Sequence, residues 1–252
     1  MYFFDFHIHP YIEEAHSIKR YKKQTGNSFE AQRKVLEKED IRKVAGSVII
    51  LDAADEKERL EAENRDMYTL FKAHPDFYVP GVRINPLCPD ESFAALEKAI
   101  GNGIRLVGEL TPYMTGRWCY QDCAALFDFC QENNMVISCH PTTEEDMTAV
   151  CRMFPRLTFV FAHPGEQEKV EGHIARMREC ENAYLDLSGT GIFRFGVVRH
   201  LIDAVGAERI LFGSDFPICN PGAYKGGILY EALTDREFEL VAHKNAERLL
   251  GL

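Results

Sequence analysis

The amino-acid sequence predicts an α/β fold, a (β/α)8 barrel with its functional site at the C-terminal ends of the strands. Three observations predict it. Short, continuously apolar runs alternate along the chain with longer amphipathic stretches. The 252 residues accommodate eight such units at about thirty residues each, the size of a barrel unit. Polar side chains able to bind metal recur where the apolar runs stop.

The expected strands are 2–9, 46–51, 78–84, 104–109, 135–140, 158–163, 183–187 and 209–212. The runs SVIIL (47–51), VIS (136–138) and TFVFA (158–162) are apolar throughout, as strands covered on both faces by a parallel α/β architecture must be. Amphipathic patterning predicts helices over 56–73, 91–100, 123–133, 143–154, 166–180 and 195–205. Asp52 and Asp90 stand where N-caps are expected, and Gly101 and Gly206 where helices should stop. The stretch 9–30 breaks the pattern with Pro10, Gly26 and the basic run Lys19-Arg-Tyr-Lys-Lys. It reads as a long loop on the active face, or equally as a solvated charged surface. No linker, low-complexity segment or internal repeat divides the chain, so 1–252 is expected to form a single barrel domain.

Composition narrows the function classes. With 46% hydrophobic and 27% charged residues, the chain can bury a sizeable core. A formal net charge of −10 argues against a nucleic-acid partner, whose phosphates attract clustered Lys and Arg. No apolar run approaches the ~20 residues of a membrane helix, and the first residues lack the pattern of a signal peptide. The eight cysteines contain no CxxC pair, so they read as reduced, mostly buried thiols. These features lead us to expect a cytoplasmic protein acting on a small molecule, without a membrane partner; a homo-oligomer is compatible with them.

Chemistry concentrates at the strand ends. His7 and His9 alternate within one strand, so both imidazoles can reach one ion. Glu109 ends the fourth strand, His140 the fifth and His163 the sixth, while Asp215 follows the eighth in Phe-Gly-Ser-Asp-Phe-Pro. A barrel brings all of these ends to one mouth. Six ligand-capable residues so placed predict a metal site at that mouth.

The motifs His7-Ile-His9, Cys-His140-Pro, Ala-His163-Pro-Gly and Gly-Ser-Asp215-Phe-Pro resemble the metal motifs of the amidohydrolase superfamily. The nearer resemblance is to its amidohydrolase-related branch, which contains the aminocarboxymuconate semialdehyde decarboxylase-like proteins. It extends to His-Lys-Asn245-Ala-Glu-Arg-Leu-Leu at the chain's end. The resemblance implies a divalent metal at the mouth, most simply Zn²⁺, as one or two ions, with His7, His9, His140 and Asp215 as ligands. It also implies His163 as a ligand to a second ion or a catalytic imidazole. Many binuclear members carry a carboxylated lysine where this chain has Glu109, a departure that resembles TatD-like hydrolases. Decarboxylase members hold one ion.

A metal-activated water with Asp215 as general base predicts a hydrolase of an amide, ester or lactone. The alternative is a mononuclear, non-oxidative decarboxylase of an aromatic or unsaturated acid, with His163 handling the proton. A TatD-like nuclease ranks behind both on charge. Arg83, at the end of the third strand, is a candidate for binding a substrate carboxylate, and Tyr113 and Arg194 are candidates from the loops after the fourth and seventh strands. The remaining histidines, at 16, 74, 173, 200 and 243, read as surface residues.

Overall fold

The computed structural model describes residues 1–18 and 28–252. The basic run expected to form a loop at 19–23, and Gly26, lie outside the described residues. Eight strands pair in parallel and in sequence order: β1 (Phe3–Ile8), β2 (Ile41–Gly46), β3 (Tyr78–Val82), β4 (Leu106–Leu110), β5 (Val136–Cys139), β6 (Thr158–Phe161), β7 (Ala183–Asp186) and β8 (Ile210–Leu211). Backbone bonds return the last strand to the first. Phe6 N donates to Phe212 O at 2.9 Å, Asp215 N to His7 O at 2.8 Å, and His9 N to Phe216 O at 2.7 Å. The chain is a (β/α)8 barrel, as the alternation of runs predicts.

The connecting helices are α1 (Phe29–Glu37), α2 (Glu56–Ala73), α3 (Pro89–Gly101), α4 (Ala124–Glu132), α5 (Glu144–Met153), α6 (Gln167–Glu179) and α7 (Val197–Val205). After β8 come α8 (Pro221–Leu229), α9 (Asp235–Glu239), a π-helical turn (Leu240–Lys244) and α10 (Asn245–Leu250). The sequence spells several of the starts. Ser28, Asp55, Thr143 and Thr234 each accept a hydrogen bond from an amide three residues on, which satisfies an otherwise orphaned donor. Asp55, rather than Asp52, therefore caps α2, and Cys88 precedes α3 with Asp90 inside its first turn.

One strand differs from expectation. The apolar run 46–51 leaves the sheet at Gly46, and β2 occupies the preceding 41–46, where Val44 pairs with Tyr78 and Gly46 with Pro80. Residues 47–50 stay buried beyond the strand because they descend beside the mouth. The outer segment, with exposed Arg42, carries the pairing instead.

Two apolar clusters hold the barrel together. The larger joins strands to their covering helices. The smaller draws Phe4, Phe6, Ala45, Leu106, Val136, Val160 and Leu211 from six strands, together with Ala246, Leu249 and Leu250 of α10. Side chains converging from so many strands fill the barrel interior, and α10 plugs the end opposite the mouth. All eight cysteines are free thiols and six are buried, as their scatter suggested. Among the described residues no helix is long and apolar enough to cross a membrane.

Asn245 ties the plug to the sheet. Its buried side-chain amide donates to Ala207 O at 2.7 Å and to Ile210 O at 2.8 Å, at the entrance to β8. Asn245→Ala leaves both carbonyls without this donor. It is expected to cost about 1–3 kcal/mol in urea unfolding while the metal content of the folded protein stays unchanged.

Candidate metal centre

Two irregularities aim the ligands. The β1–β2 register shifts between Asp5 and Ile8, and the β4–β5 register shifts between Val107 and Leu110. Such shifts re-aim side chains at strand ends. They fall on His7 and Glu109, so simple alternation along the strand does not set these directions. Gly108, at φ 88°, makes the second possible: a Cβ there would lie 2.4 Å from Ser138 O.

Four ligand atoms then gather. His7 Nε2 and His9 Nε2 are 3.1 Å apart. Asp215 Oδ1 lies 3.3 Å from His9 Nε2 and 3.7 Å from His7 Nε2. Glu109 Oε2 lies 3.5 Å from His9 Nε2 and 3.6 Å from His7 Nε2. Bonds of about 2.1 Å to a tetrahedral ion separate its ligand atoms by about 3.4 Å. The spacings among His7, His9 and Asp215, and those from Glu109 to both histidines, suit ligands of such an ion, and His163 groups with His7 and Glu109 as a second candidate set.

The hydrogen bonds behind the ligands point the same way. His7 Nδ1 meets Asp186 Oδ2 at 3.0 Å, and His9 Nδ1 meets the Ser47 carbonyl at 3.2 Å. A carbonyl only accepts, so His9 carries its proton on Nδ1 and turns the Nε2 lone pair inward. The Asp186 carboxylate does the same for His7. Two nitrogens so turned, 3.1 Å apart, need a proton or a metal cation between them. Asp215 Oδ1 is buried without a hydrogen-bond partner among the described residues. The donors therefore fit a divalent ion.

Electrostatics agree. Burial pulls the His7 imidazole down, but Asp186, Glu109 and Asp215 outweigh it and raise it to about 10, so these carboxylates demand positive charge here. Burial alone would raise the Glu109 carboxyl, yet His7, His140 and His9 hold it well below the ordinary range. Asp5 sits beneath this layer. Burial pushes its carboxyl up to about 7, against donors from Ser214 N at 2.9 Å, Ser214 Oγ and His7 N. It pins the segment that carries Asp215 to the strand that carries His7.

The second half of the site surrounds the other Glu109 oxygen. His140 Nδ1 lies 2.9 Å from Oε1, and His163 Nε2 lies 3.7 Å from it. Ser188 Oγ donates to Asp186 Oδ1, so it accepts from His163 Nδ1 at 3.0 Å. That leaves a lone pair on His163 Nε2. Burial lowers the His163 imidazole, which keeps it neutral. His163 and Asp215 both occupy left-handed backbone, at φ 61° and 62°. That conformation costs of order 1–3 kcal/mol per residue and collects at functional sites. Gly189 gives His163 its space, since a Cβ there would fall 2.1 Å from the ring.

A cavity of about 800 Å³ opens above these atoms. Its walls include His140, His163, Asp215, Tyr113, Phe193 and Met114. Tyr113 thus reaches the site, 54% exposed and packed against the His140 ring at 4.8 Å. Arg83 and Arg194 are not among the residues lining this cavity. Arg83 is 1% exposed; its Nε donates to Glu63 Oε2 and its Nη2 to Thr111 Oγ1, both at 3.0 Å, and its Nη1 is buried without a partner among the described residues. Arg194 is exposed and pairs with Glu166. Asp5, Asp186 and Ser188 are the residues the sequence reading missed. An Asp ending a strand, as Asp186 does, was the available signal, but it acts through His7 and looks like any polar strand end.

The Amidohydrolase family profile matches residues 4–252. No curated protein sequence matches the chain. Among solved structures, an uncharacterized TIM-barrel protein from Bordetella bronchiseptica is 22% identical, with a TM-score of 0.75 over 100% of this chain and 99% of that one. The 2,6-dihydroxybenzoate decarboxylase from Rhizobium is 14% identical, also with a TM-score of 0.75, over 100% and 99%. A dihydroxybenzoic acid decarboxylase from Polaromonas sp. JS666, with bound manganese and the inhibitor 2-nitroresorcinol, is 14% identical with a TM-score of 0.63, over 88% and 85%. At these identities the likeness carries the fold.

Asp215→Ala is expected to abolish binding of one manganese or zinc equivalent while circular dichroism remains that of the folded barrel. Asp186→Asn keeps an acceptor for His7 but removes the charge, and metal affinity is expected to fall about 10–100-fold in chelator competition.

Proposed function

Because the chain belongs to the amidohydrolase family, we propose that it is a divalent-metal-dependent enzyme, and specifically a non-oxidative decarboxylase of an aromatic or unsaturated carboxylic acid. The observation that carries this reading is a neutral imidazole set beside the ligand cluster in an aromatic-walled cavity. His7, His9 and Asp215 group around one point, and His163, which also groups with His7 and Glu109, offers a lone pair to the cavity. The decarboxylases of hydroxybenzoates among the similar structures, one with bound manganese, support it. Mixed nitrogen and oxygen donors suit Mn²⁺ as well as Zn²⁺.

Decarboxylation replaces a carbon–carboxylate bond with a carbon–hydrogen bond. One proton from solvent is consumed and CO₂ departs, and the electron pair of the broken bond returns to the ring. A bound divalent ion would fix and polarise the substrate carboxylate. His163 Nε2 takes up the solvent proton and delivers it to the substrate carbon, with its ring held through Nδ1 by Ser188. Tyr113, Phe193 and Met114 exclude water from one face of the substrate and accept a planar ring. Asp215, with His7 and His9, would hold that ion.

One observation favours a second reading. The two Glu109 oxygens face different histidine pairs, Oε2 toward His7 and His9, and Oε1 toward His140 and His163. A carboxylate so divided suits a bridge between two ions. In that case Asp215 accepts a proton from water, and the reaction is hydrolysis of an amide, ester or lactone.

Manganese-loaded protein incubated with a panel of hydroxybenzoates is expected to release CO₂ with one metal per chain. Two equivalents, no CO₂, and turnover of an ester or lactone panel would decide for the hydrolase. His163→Asn is expected to lower kcat at least about 100-fold with metal stoichiometry unchanged.

A further inference from the structure

Not every buried polar group belongs to the chemistry above. His173 reads from sequence as a surface residue but is 1% exposed, and its partner Arg176 pairs with Glu144 on α5. Tyr224, on α8, is different: it is 7% exposed, lines the cavity, and donates its hydroxyl to the Gly189 carbonyl. Three of the nine residues in its helix, Pro221–Leu229, are glycines, a composition of low helix propensity. Capping and tertiary contacts hold this helix instead. Asn220 Oδ1 accepts from Gly222 N at 3.0 Å, and Lys225 Nζ pairs with Asp40 Oδ2 at 2.7 Å. Gly227 lets the helix lie on Ile192, since a Cβ there would stand 3.1 Å from Ile192 Cγ1.

Gly189 is the residue that Tyr224 reaches. No Cβ fits between it and the His163 ring, so only glycine can back that ring so closely. Glycine also has the freest backbone of any residue, and here it stands at φ 63°. The residues on either side are tied. Asp186 Oδ1 accepts from Ser188 N at 2.9 Å and from the Ser188 hydroxyl, and Gly165 N donates to Thr190 O at 2.8 Å. Between them the Gly189 carbonyl takes its donor from Tyr224; a carbonyl only accepts, so the phenol supplies the proton. Without that donor the peptide after Gly189 is free to rotate, and the His163 ring loses the backbone that stops it on one side.

We propose that Tyr224 is a positioning residue for His163: its hydroxyl clamps the Gly189 carbonyl and so holds the backbone against which the reacting imidazole rests. The proposal rests on the reading of His163 as the proton carrier. The clamp joins two units of the barrel, because Tyr224 follows β8 and Gly189 follows β7. It differs from a packing role, which the aromatic ring alone would fill. Phenylalanine keeps that ring in the cavity wall and removes only the donor.

The test uses manganese-loaded protein with 2,6-dihydroxybenzoate as the probe. Tyr224→Phe is expected to lower kcat at least about tenfold, with KM within about twofold and one manganese per chain. Unchanged kcat, or a raised KM with kcat preserved, would overturn the proposal. A second measurement does not need turnover. In the ¹⁵N-histidine spectrum of zinc-loaded protein, the His163 ring signals should broaden in Tyr224→Phe while those of His9 stay sharp. A His163 signal identical to that of the wild type, or equal broadening of both rings, would sink the idea. Failure of the probe to release CO₂ in wild-type protein would count against the decarboxylase alone, because the spectrum still decides the clamp.

Discussion

Two imidazole nitrogens 3.1 Å apart, each with its lone pair turned toward the other, cannot rest in a protein interior without positive charge between them. Much of the upper barrel exists to impose that arrangement. Asp186 and the Ser47 carbonyl fix the protons on the far side of each ring. Glu109 and Asp215 supply the negative charge that makes a cation welcome. The cost of burying these carboxylates is offset only when something cationic neutralises them. The centre is therefore built to favour positive charge.

The barrel separates this expense from its source of stability. The end opposite the mouth is apolar, with Phe4, Phe6, Leu106, Val136 and Leu211 packed against Leu249 and Leu250. The mouth carries the register shifts at β1 and β4, the left-handed residues at 163 and 215, and buried charge. Conformations that cost free energy persist where the surrounding structure determines them. Here the determination comes from neighbouring strands: Asp5 on β1 holds Ser214 after β8, and Asp186 on β7 holds His7 on β1. Each ligand is oriented by a residue from another unit, so the closed ring of strands is itself part of the site.

That division explains what the sequence revealed. Ligands at strand ends are legible because a polar residue after an apolar run is conspicuous, and His7, His9, Glu109, His163 and Asp215 do converge. His140 reaches the same cluster through Glu109. Partners that act through a ligand are not legible. Asp5, Asp186 and Ser188 acquire meaning only from contacts spanning most of the chain. Arg83 shows the reverse case: a guanidinium at a strand end invites a substrate, but here it is buried, bonds Glu63 and Thr111, and is not among the residues lining the cavity. The second strand was displaced for a related reason. SVIIL is apolar because it is buried beside the mouth, while the pairing falls on 41–46, where exposed Arg42 breaks the apolar signal.

Glu109 is where the two chemistries diverge. Its carboxylate stands between two pairs of histidines, and its environment holds it ionised. The His140 ring, bonded to Oε1 through Nδ1, competes with any second ion for that oxygen. For such an ion to enter, both rings must turn lone pairs toward it. His163 already presents its lone pair, because Ser188 takes the other nitrogen's proton. His140 does not. One ring presents a lone pair and the other bonds the carboxylate, so the two sides of Glu109 are built differently.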